Sequence, residues 1–230
     1  YARERRELMT VKNGAFVEIE YVGRVATTNQ VFDLTSEALA HQEGVFSRHA
    51  RYGPRVICLG QGRVVKGLDH FLSGKEIGKA YTVTLAAQDA FGLKDPKLLR
   101  MMPSKIFLNQ GIKPMAGLRV NLDRAMGTIK SVSGGRVVVD FNHPLAGHDV
   151  MYDVKVLRVV TQPEEKVRAL LEGLAPEDVR IAIKGKACEI ELDLPEQLHA
   201  ILEKEITQRV PELTKMTFVG TKKKDAPAPQ

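Results

Sequence analysis

The chain has 230 residues, of which 43% are hydrophobic and 27% are charged, and this is the composition of an ordinary globular protein. No apolar run approaches the roughly 18–20 residues that a membrane-spanning helix needs, and the first ten residues, YARERRELMT, lack the apolar segment of a secretory signal. The two cysteines, Cys58 and Cys188, lie far apart in apolar runs. These features exclude a helical membrane protein and a disulfide-rich scaffold, and they predict a cytoplasmic protein with buried thiols.

The first ninety residues predict several strands and two short helices. Residues 12–26, VKNGAFVEIEYVGRV, alternate between apolar and polar side chains, as a half-buried strand does. A turn and the segment VFD follow, and residues 35–52 predict a short helix and an irregular loop. PRVICLG is typical of a strand that ends at glycine. A second short helix is predicted near Leu68–Leu72, and a further strand at Tyr81–Ala87.

Residues 93–141 differ from the rest of the chain in composition. They contain nine lysines and arginines against three acids, so their net charge of +6 equals that of the whole chain. DPKLLRMMPSKIF predicts a helix broken at Pro103, and three short strands separated by glycine turns follow. Four of the seven methionines lie in this segment: Met101, Met102, Met115 and Met126. They form either a surface for many partners or a small core beneath a solvated basic face.

Between the apolar runs Val137–Phe141 and Val150–Val160 lies a polar segment, NHPLAGH. It contains two histidines, His143 and His148, five residues apart. They are either metal ligands or ordinary turn residues, because a single pair in a loop is a weak metal signature. We expect no metal.

A different pattern begins at Pro163. PEEKVRALLEGL predicts a helix with proline in its first turn, and the next segments predict a β-hairpin around Lys184–Lys186. The helix PEQLHAILEKEITQRV has one apolar stripe, which covers its own sheet or forms a dimer. The members of the stripe are Leu198, Ile201, Leu202 and Ile206. The end of the chain, TKKKDAPAPQ, predicts a disordered tail.

Four stretches resemble the FKBP-type peptidyl-prolyl isomerases: VEIEYVGRV, VFDLT, CLGQGRVVKGLDHFLSGKEIGKAYTVTLAAQDAFG and NHPLAGHDVMYDVKVL. NHPLAG followed by an aromatic-Asp-Val strand resembles the SlyD-like branch in its long archaeal form. The resemblance implies an α+β fold with a twisted antiparallel sheet around a short helix. It implies an isomerase domain over 1–92 and 142–161, and an insert-in-flap chaperone domain, small and β-rich, over 93–141. A C-terminal α+β domain over 162–221 and a disordered tail over 222–230 would follow.

The resemblance implies an enzyme that isomerises X–Pro bonds without a metal or cofactor. Its catalytic residues would be Tyr21, Phe32, Asp33, Val64, Val65, Leu68, Phe91 and Tyr152. Leu68 would form the floor of the proline pocket, and Asp33 would contact the twisting carbonyl or hold Tyr21. At Phe91 most relatives carry a tyrosine that binds a substrate carbonyl, so we expect weakened activity. Without the resemblance, the apolar members would be plain core residues, and Asp33 would be a helix cap for residues 37–40.

The same resemblance implies that the partners are unfolded or nascent chains containing X–Pro. Substrate binding would fall to Leu145, Met101, Met102, Met115 and Met126. The alternative is a binding module with vestigial isomerase activity, whose basic insert docks on ribosomal RNA or another polyanion. Against it, Phe107 and Phe141 are the only aromatic residues in residues 93–141. Metal storage, a function of bacterial relatives with histidine- or cysteine-rich tails, does not suit a tail without either residue, and we expect no membrane partner.

Overall fold

The computed structural model describes residues 10–122, 124–176 and 178–220. The tail predicted at 222–230 lies outside these ranges. The chain divides into two compact units: Tyr1–Gly23, Asp33–Val83 and Tyr152–Gln230 form the first, and Arg24–Phe32 and Thr84–Met151 form the second. Among the described residues, none of the helices has the length and apolar character needed to cross a membrane.

The largest sheet has five strands, which are β1 (Phe16–Val25), β2 (Val31–Leu34), β3 (Arg55–Cys58), β4 (Ala80–Leu85) and β9 (Val150–Val159). Their order is β2-β1-β9-β4, and β3 pairs with β1. The alternation predicted for β1 is present, since Val17, Ile19 and Tyr21 are buried whereas Glu20 is exposed. The pairing of β1 with β3 is antiparallel. The predicted α+β class with antiparallel sheets is confirmed.

Two short helices accompany this sheet, α1 (Glu37–Gln42) and α2 (Lys66–Leu72). Helix α1 begins at Ser36, whose hydroxyl accepts a hydrogen bond from the Leu39 amide at 3.3 Å, as an N-cap serine does. The alternative role of Asp33 as the cap of this helix is therefore wrong. Helix α2 buries Leu68 and Leu72 on one side.

Residues 99–140 form a separate sheet of four strands, which are β5 (Leu99–Pro103), β6 (Arg119–Leu122), β7 (Ala125–Ser133) and β8 (Arg136–Asp140), and helix α3 spans Ser104–Leu108. The order of the strands is β5-β8-β7-β6. The core of this sheet consists of Phe107, Val120, Leu122, Ile129, Val137 and Val139. The helix expected before Pro103 is wrong. The residue before a proline disfavours helical torsion angles, and β8 offers an edge with which residues 99–103 pair in antiparallel register.

The C-terminal residues add a three-stranded sheet and two helices to the first unit. They are α4 (Pro163–Leu170), β10 (Arg180–Lys184), β11 (Ala187–Glu191), α5 (Glu196–Arg209) and β12 (Lys215–Val219). β10 and β11 form the expected hairpin, and β12 lies parallel to β11 after α5 crosses over.

The C-terminal core also contains Phe16 from β1 and Cys58 from β3, and both cysteines are buried and free. The predicted stripe of α5 divides: Leu202 and Ile206 are buried in this core, whereas 39% of Leu198 and 60% of Ile201 is exposed.

Candidate active site

In the first unit, the structure brings together three of the predicted catalytic residues. The rings of Tyr21 on β1 and Tyr152 on β9 meet edge to face, with centroids 5.9 Å apart, and both side chains are buried. The Tyr21 hydroxyl donates a hydrogen bond to Asp33 Oδ2 at 2.7 Å. β2 is tied to β1 at this point, since the Tyr21 amide donates to the Thr35 hydroxyl at 3.0 Å. Asp33 therefore holds Tyr21, one of the two roles predicted for it.

Burial governs the ionisation of both phenols. Burial, together with the hydrogen bond and charge of Asp33, raises the pKa of Tyr21 well above its ordinary value. Burial likewise raises the pKa of Tyr152, with a smaller contribution from Asp33. Both hydroxyl groups therefore keep their protons at physiological pH and can act as hydrogen-bond donors.

Val64, Val65 and Leu68 lie where the loop after β3 runs into α2. Leu68 is buried, and the two valines are half-buried. The loop is fixed from inside by the buried Asp69, whose carboxylate accepts hydrogen bonds from the amides of Gly60 at 2.7 Å and Gly62 at 3.2 Å. Asp69 is not among the residues predicted from the sequence. Its place in the first turn of a predicted helix could have indicated this role, because an acid there is well placed to accept hydrogen bonds from backbone amides.

Gly60 has to be a glycine for two reasons. Its φ of 78° lies in the left-handed region that side chains disfavour, and an added Cβ would meet Asn13 Oδ1 at 1.9 Å. The loop therefore lies against Asn13 without any room for a side chain at this position.

In the second unit, Phe32 and Phe91 form an aromatic group with a third ring. The Phe91 ring lies parallel to His143, at 4.7 Å between centroids and 1° between planes. Phe32 meets Phe91 edge to face at 5.5 Å. His143 Nδ1 accepts a hydrogen bond from the Leu145 amide at 3.2 Å, which orients the imidazole. From the sequence, His143 is either a metal ligand or a turn residue, and its stacking on Phe91 is not predicted, because no local pattern indicates it.

The described residues contain no cluster of three or more His, Cys, Asp or Glu side chains that could hold a metal ion. The aromatic group and the Tyr21–Asp33 pair belong to different units. That both face one proline pocket stays a prediction from the family resemblance.

The polar segment NHPLAGH is secured by Asn142. Its side-chain amide accepts from the Asp95 amide at 2.8 Å and donates to the Asp95 carbonyl at 3.1 Å. The same amide group donates to Asp140 Oδ1 at 2.8 Å. Burial opposes ionisation of Asp140, but the bonds from Asn142 and the charge of Lys130 together lower its pKa. Asn142 thus joins the two chain segments that lead into and out of the four-stranded sheet.

Three of the four predicted substrate-binding methionines are exposed on the strands and loops of residues 99–140. The exposed fraction is 63% for Met101, 58% for Met115 and 60% for Met126. Met102 instead packs against the core beneath, and Leu145 is half-buried. All nine basic side chains of residues 93–141 are exposed. Met102 is thus a core residue and the other three are surface residues, and that they bind partners stays a prediction.

A groove of about 370 Å³ opens elsewhere on the first unit. Tyr21 is the only predicted catalytic residue that lines it, and Tyr81, Thr82 and Asp153 are among its other walls. The Thr82 hydroxyl donates to Asp153 Oδ1 at 2.5 Å. The groove lacks the valines and leucine of the predicted pocket, so we do not assign it to proline binding.

Two family models match the chain. The model of the FKBP-type peptidyl-prolyl cis-trans isomerases matches residues 8–108, and a model described as FKBP26, IF domain matches residues 100–145. The short-type peptidyl-prolyl cis-trans isomerase of Methanocaldococcus jannaschii is 28% identical over 155 residues, which are 67% of this chain and 96% of that protein.

Two relatives from Escherichia coli are similar over a shorter stretch. The FKBP-type 16 kDa peptidyl-prolyl cis-trans isomerase is 34% identical over 112 residues, or 46% of this chain and 74% of that protein. The isomerase SlyD is 32% identical over 113 residues, or 47% of this chain and 57% of that protein. The predicted resemblance is confirmed: the chain belongs to the FKBP-type peptidyl-prolyl cis-trans isomerases, is similar to their SlyD-like members, and is an enzyme of this class.

Proposed function

We propose that this isomerase turns X–Pro bonds at a pocket formed by the eight predicted catalytic residues, and that its four-stranded insert binds unfolded chains and supplies them to that pocket. The observation that carries the catalytic part is the 2.7 Å hydrogen bond from the buried Tyr21 to Asp33. The observation that carries the chaperone part is the exposure of Met101, Met115 and Met126 on one small domain.

The reaction sets modest chemical demands. An X–Pro bond turns over a barrier of about 18–20 kcal/mol, and without a catalyst the exchange takes roughly tens to hundreds of seconds. No covalent bond breaks, so the enzyme needs neither a nucleophile nor a redox group. It has to bind the twisted amide more tightly than the planar one. An apolar pocket does so in part by removing water, because the planar amide has the larger dipole.

Tyr21 and Asp33 suit this task as a polar element within apolar surroundings. Tyr21 donates its one hydroxyl proton to Asp33, so the phenol oxygen remains only as an acceptor and the pair keeps one orientation before substrate arrives. A polar group fixed in this way is the preorganisation that stabilises a transition state. Leu68 and the half-buried Val65 would hold the proline ring.

Phe91 gives the pocket a wall without a donor. Its ring is fixed between Phe32 and His143 by aromatic contacts. A tyrosine there would add a hydroxyl for a substrate carbonyl, and a net hydrogen bond of this kind is worth about 0.5–1.5 kcal/mol. We propose that this enzyme is correspondingly slower on short peptides and relies more on the insert for its protein substrates.

The insert suits unfolded chains as partners. Methionine is flexible and polarizable, so exposed methionines adapt to side chains of different shape. The nine exposed basic side chains around them favour segments that contain acidic as well as apolar residues. Because the apolar core of the insert, including Phe107 and Ile129, is distinct from the exposed methionines, the binding surface can be changed without emptying the core.

We also propose a cytoplasmic location. Its support is the pair of free thiols, Cys58 and Cys188, that share one core, since thiols stay reduced in that compartment.

The test separates the two parts of the proposal. Met101→Ser, Met115→Ser and Met126→Ser are combined in one variant. Its kcat/KM is measured on a short X–Pro peptide and on a protein whose refolding is limited by an X–Pro bond. We expect the protein value to fall about tenfold, since three apolar contacts of this size are worth at least about 1.4 kcal/mol together. The peptide value should stay within about twofold.

The matched control carries two serines at exposed apolar positions outside the insert, Leu174→Ser and Ile201→Ser, which are 53% and 60% exposed. Its two rates should equal those of the unchanged enzyme. If the methionine variant refolds the protein at the original rate, the insert does not bind clients through these side chains. If the unchanged enzyme fails on the peptide, the alternative of a binding module with a vestigial pocket takes precedence.

A further inference from the structure

The loop that carries Val64 and Val65 is held by side chains of the C-terminal residues. Arg63 Nη2 donates a hydrogen bond to the carbonyl oxygen of Leu170 at 3.0 Å. Leu170 is the last residue of α4, and the carbonyl groups at the end of a helix have no partner within the helix. Arg63 therefore supplies a donor to this helix end while standing next to a predicted pocket wall.

A small ion cluster completes the contact. Glu205 Oε1 on α5 lies 3.2 Å from Arg63 Nη2 and 2.6 Å from Arg209 Nη1. Arg209 also donates through Nε and Nη2 to Gln61 Oε1, at 3.1 and 2.7 Å. The side chains of Arg63, Glu205 and Arg209 are 22–30% exposed, so water screens them only in part. The Glu205 carboxylate thus contacts both arginines. Arg63 is bound to it directly, and Gln61 is bound through Arg209, so both loop residues are attached to helix α5.

The loop needs such anchors because its two glycines allow many backbone conformations. Gly60 and Gly62 both have positive φ angles, 78° and 64°, and glycine has the widest choice of backbone conformations. Asp69 fixes the two glycine amides from the side of α2. Gln61 and Arg63 alternate with the glycines in the sequence. Gln61 is held by Arg209 of α5, and Arg63 is held by Leu170 of α4 and Glu205 of α5. Val64 follows directly, so its position depends on both sets of contacts.

We propose that Glu205 and Arg209 are positioning residues for catalysis: the C-terminal region braces the loop Gly60–Val65 and thereby sets the width of the proline pocket. This inference rests on the proposed location of the pocket. It assigns a function to the C-terminal region beyond the apolar core that this region shares with Phe16 and Cys58. Misplacing a binding wall by about 1 Å can cost up to about a hundredfold in rate, so a loose loop is expected to weaken proline binding.

The first test is Glu205→Gln, which keeps the shape of the side chain and removes its charge. We expect KM for a short X–Pro peptide to rise about three- to tenfold with kcat changed less than about twofold, because the walls grip the proline ring in both ground and transition states. The rate is followed by NMR exchange spectroscopy, which needs no protease. The control is Glu212→Gln, whose carboxylate pairs with Lys166 at 2.5 Å and with no residue of the loop.

Amide hydrogen exchange provides a readout that is independent of activity. In Glu205→Gln the amides of Gly60, Gly62 and Val64 should exchange faster than in the unchanged enzyme, and in Glu212→Gln they should not. Arg209→Ala and Gln61→Ala should each loosen the loop, and together they should add little to either one, because they remove the same contact.

The outcomes are distinguishable. If the unchanged enzyme does not isomerise the peptide, the pocket proposal fails, while hydrogen exchange still decides whether the loop is braced. If the unchanged enzyme is active and Glu205→Gln alters neither KM nor exchange at the loop, the brace is overturned. If Glu205→Gln and Glu212→Gln raise KM and exchange equally, the effect is one of general stability, and the brace is again overturned.

Discussion

The hydrogen bond between Tyr21 and Asp33 is the contact whose removal should affect catalysis most directly. It is 2.7 Å long, its acceptor is a carboxylate, and its donor is a buried phenol. Hydrogen bonds to charged groups contribute about 1.5–3 kcal/mol. Tyr21→Phe removes the donor and leaves the ring in place. We expect kcat/KM on an X–Pro peptide to fall about tenfold, which corresponds to about 1.4 kcal/mol, with the remainder lost from the stability of the fold.

A double-mutant cycle with Asp33→Asn separates the two roles predicted for Asp33. If Asp33 acts only by holding Tyr21, the double variant loses no more activity than Tyr21→Phe. If Asp33 also contacts the twisting carbonyl, the double variant loses more. Thr82→Val is the matched control, because it removes another hydroxyl-to-carboxylate bond, 2.5 Å long, from the same unit. Its kcat/KM should be unchanged.

The assay is NMR exchange on a short peptide, with urea unfolding of each variant measured beside it. If Tyr21→Phe retains the original kcat/KM at full stability, the hydrogen bond to Asp33 has no part in catalysis. The same conclusion holds if Thr82→Val loses as much activity as Tyr21→Phe, because the effect would then follow from any lost hydroxyl in this unit.

Three further predictions address the aromatic group, the polar segment and the insert. Phe91→Tyr should raise peptide kcat/KM about 2- to 12-fold, the equivalent of a hydrogen bond of about 0.5–1.5 kcal/mol, and an unchanged value contradicts the idea that a donor is missing. Asn142→Ala should destabilise the second unit by about 2 kcal/mol in urea unfolding, because three side-chain hydrogen bonds to Asp95 and Asp140 are lost; full stability would mean that water replaces them. If the insert docks on polyanions, binding to poly-uridine RNA should weaken with salt with a log–log slope of about −3 for four phosphate contacts, and a slope near zero would exclude docking.

Patterns of neighbouring residues were enough to predict several parts of this fold. The alternation in β1 buries Tyr21, so the register of one strand brings a predicted site residue inward. The proline that opens α4 and the hairpin at Lys184–Lys186 follow from the restricted torsion angles of proline and from turn chemistry. In each case the determining interactions lie within a few residues of one another.

The failures have a common physical cause. Residues 99–103 contain good helix formers, yet they pair with β8, because an open strand edge offers hydrogen bonds that outweigh a weak propensity. The position of His143 beside Phe91 depends on two distant segments that come together in the fold. Leu202 and Ile206 of the stripe on α5 join the core, whereas Leu198 and Ile201 stay exposed, because helical periodicity does not show how much of an apolar stripe the neighbouring elements cover.

The brace at the pocket loop is the furthest from what local patterns can predict. Arg63 and Glu205 are 142 residues apart in the sequence. A loop with two glycines loses much conformational entropy when it is fixed in one conformation. The contacts of Arg63 and Glu205 help to offset this loss. Ion pairs near the surface contribute little to stability, and the side chains of this cluster are 22–30% exposed, so we expect the cluster to affect the position of Val64 more than the stability of the fold. The C-terminal region should then influence how tightly proline is bound far more than how stable the enzyme is.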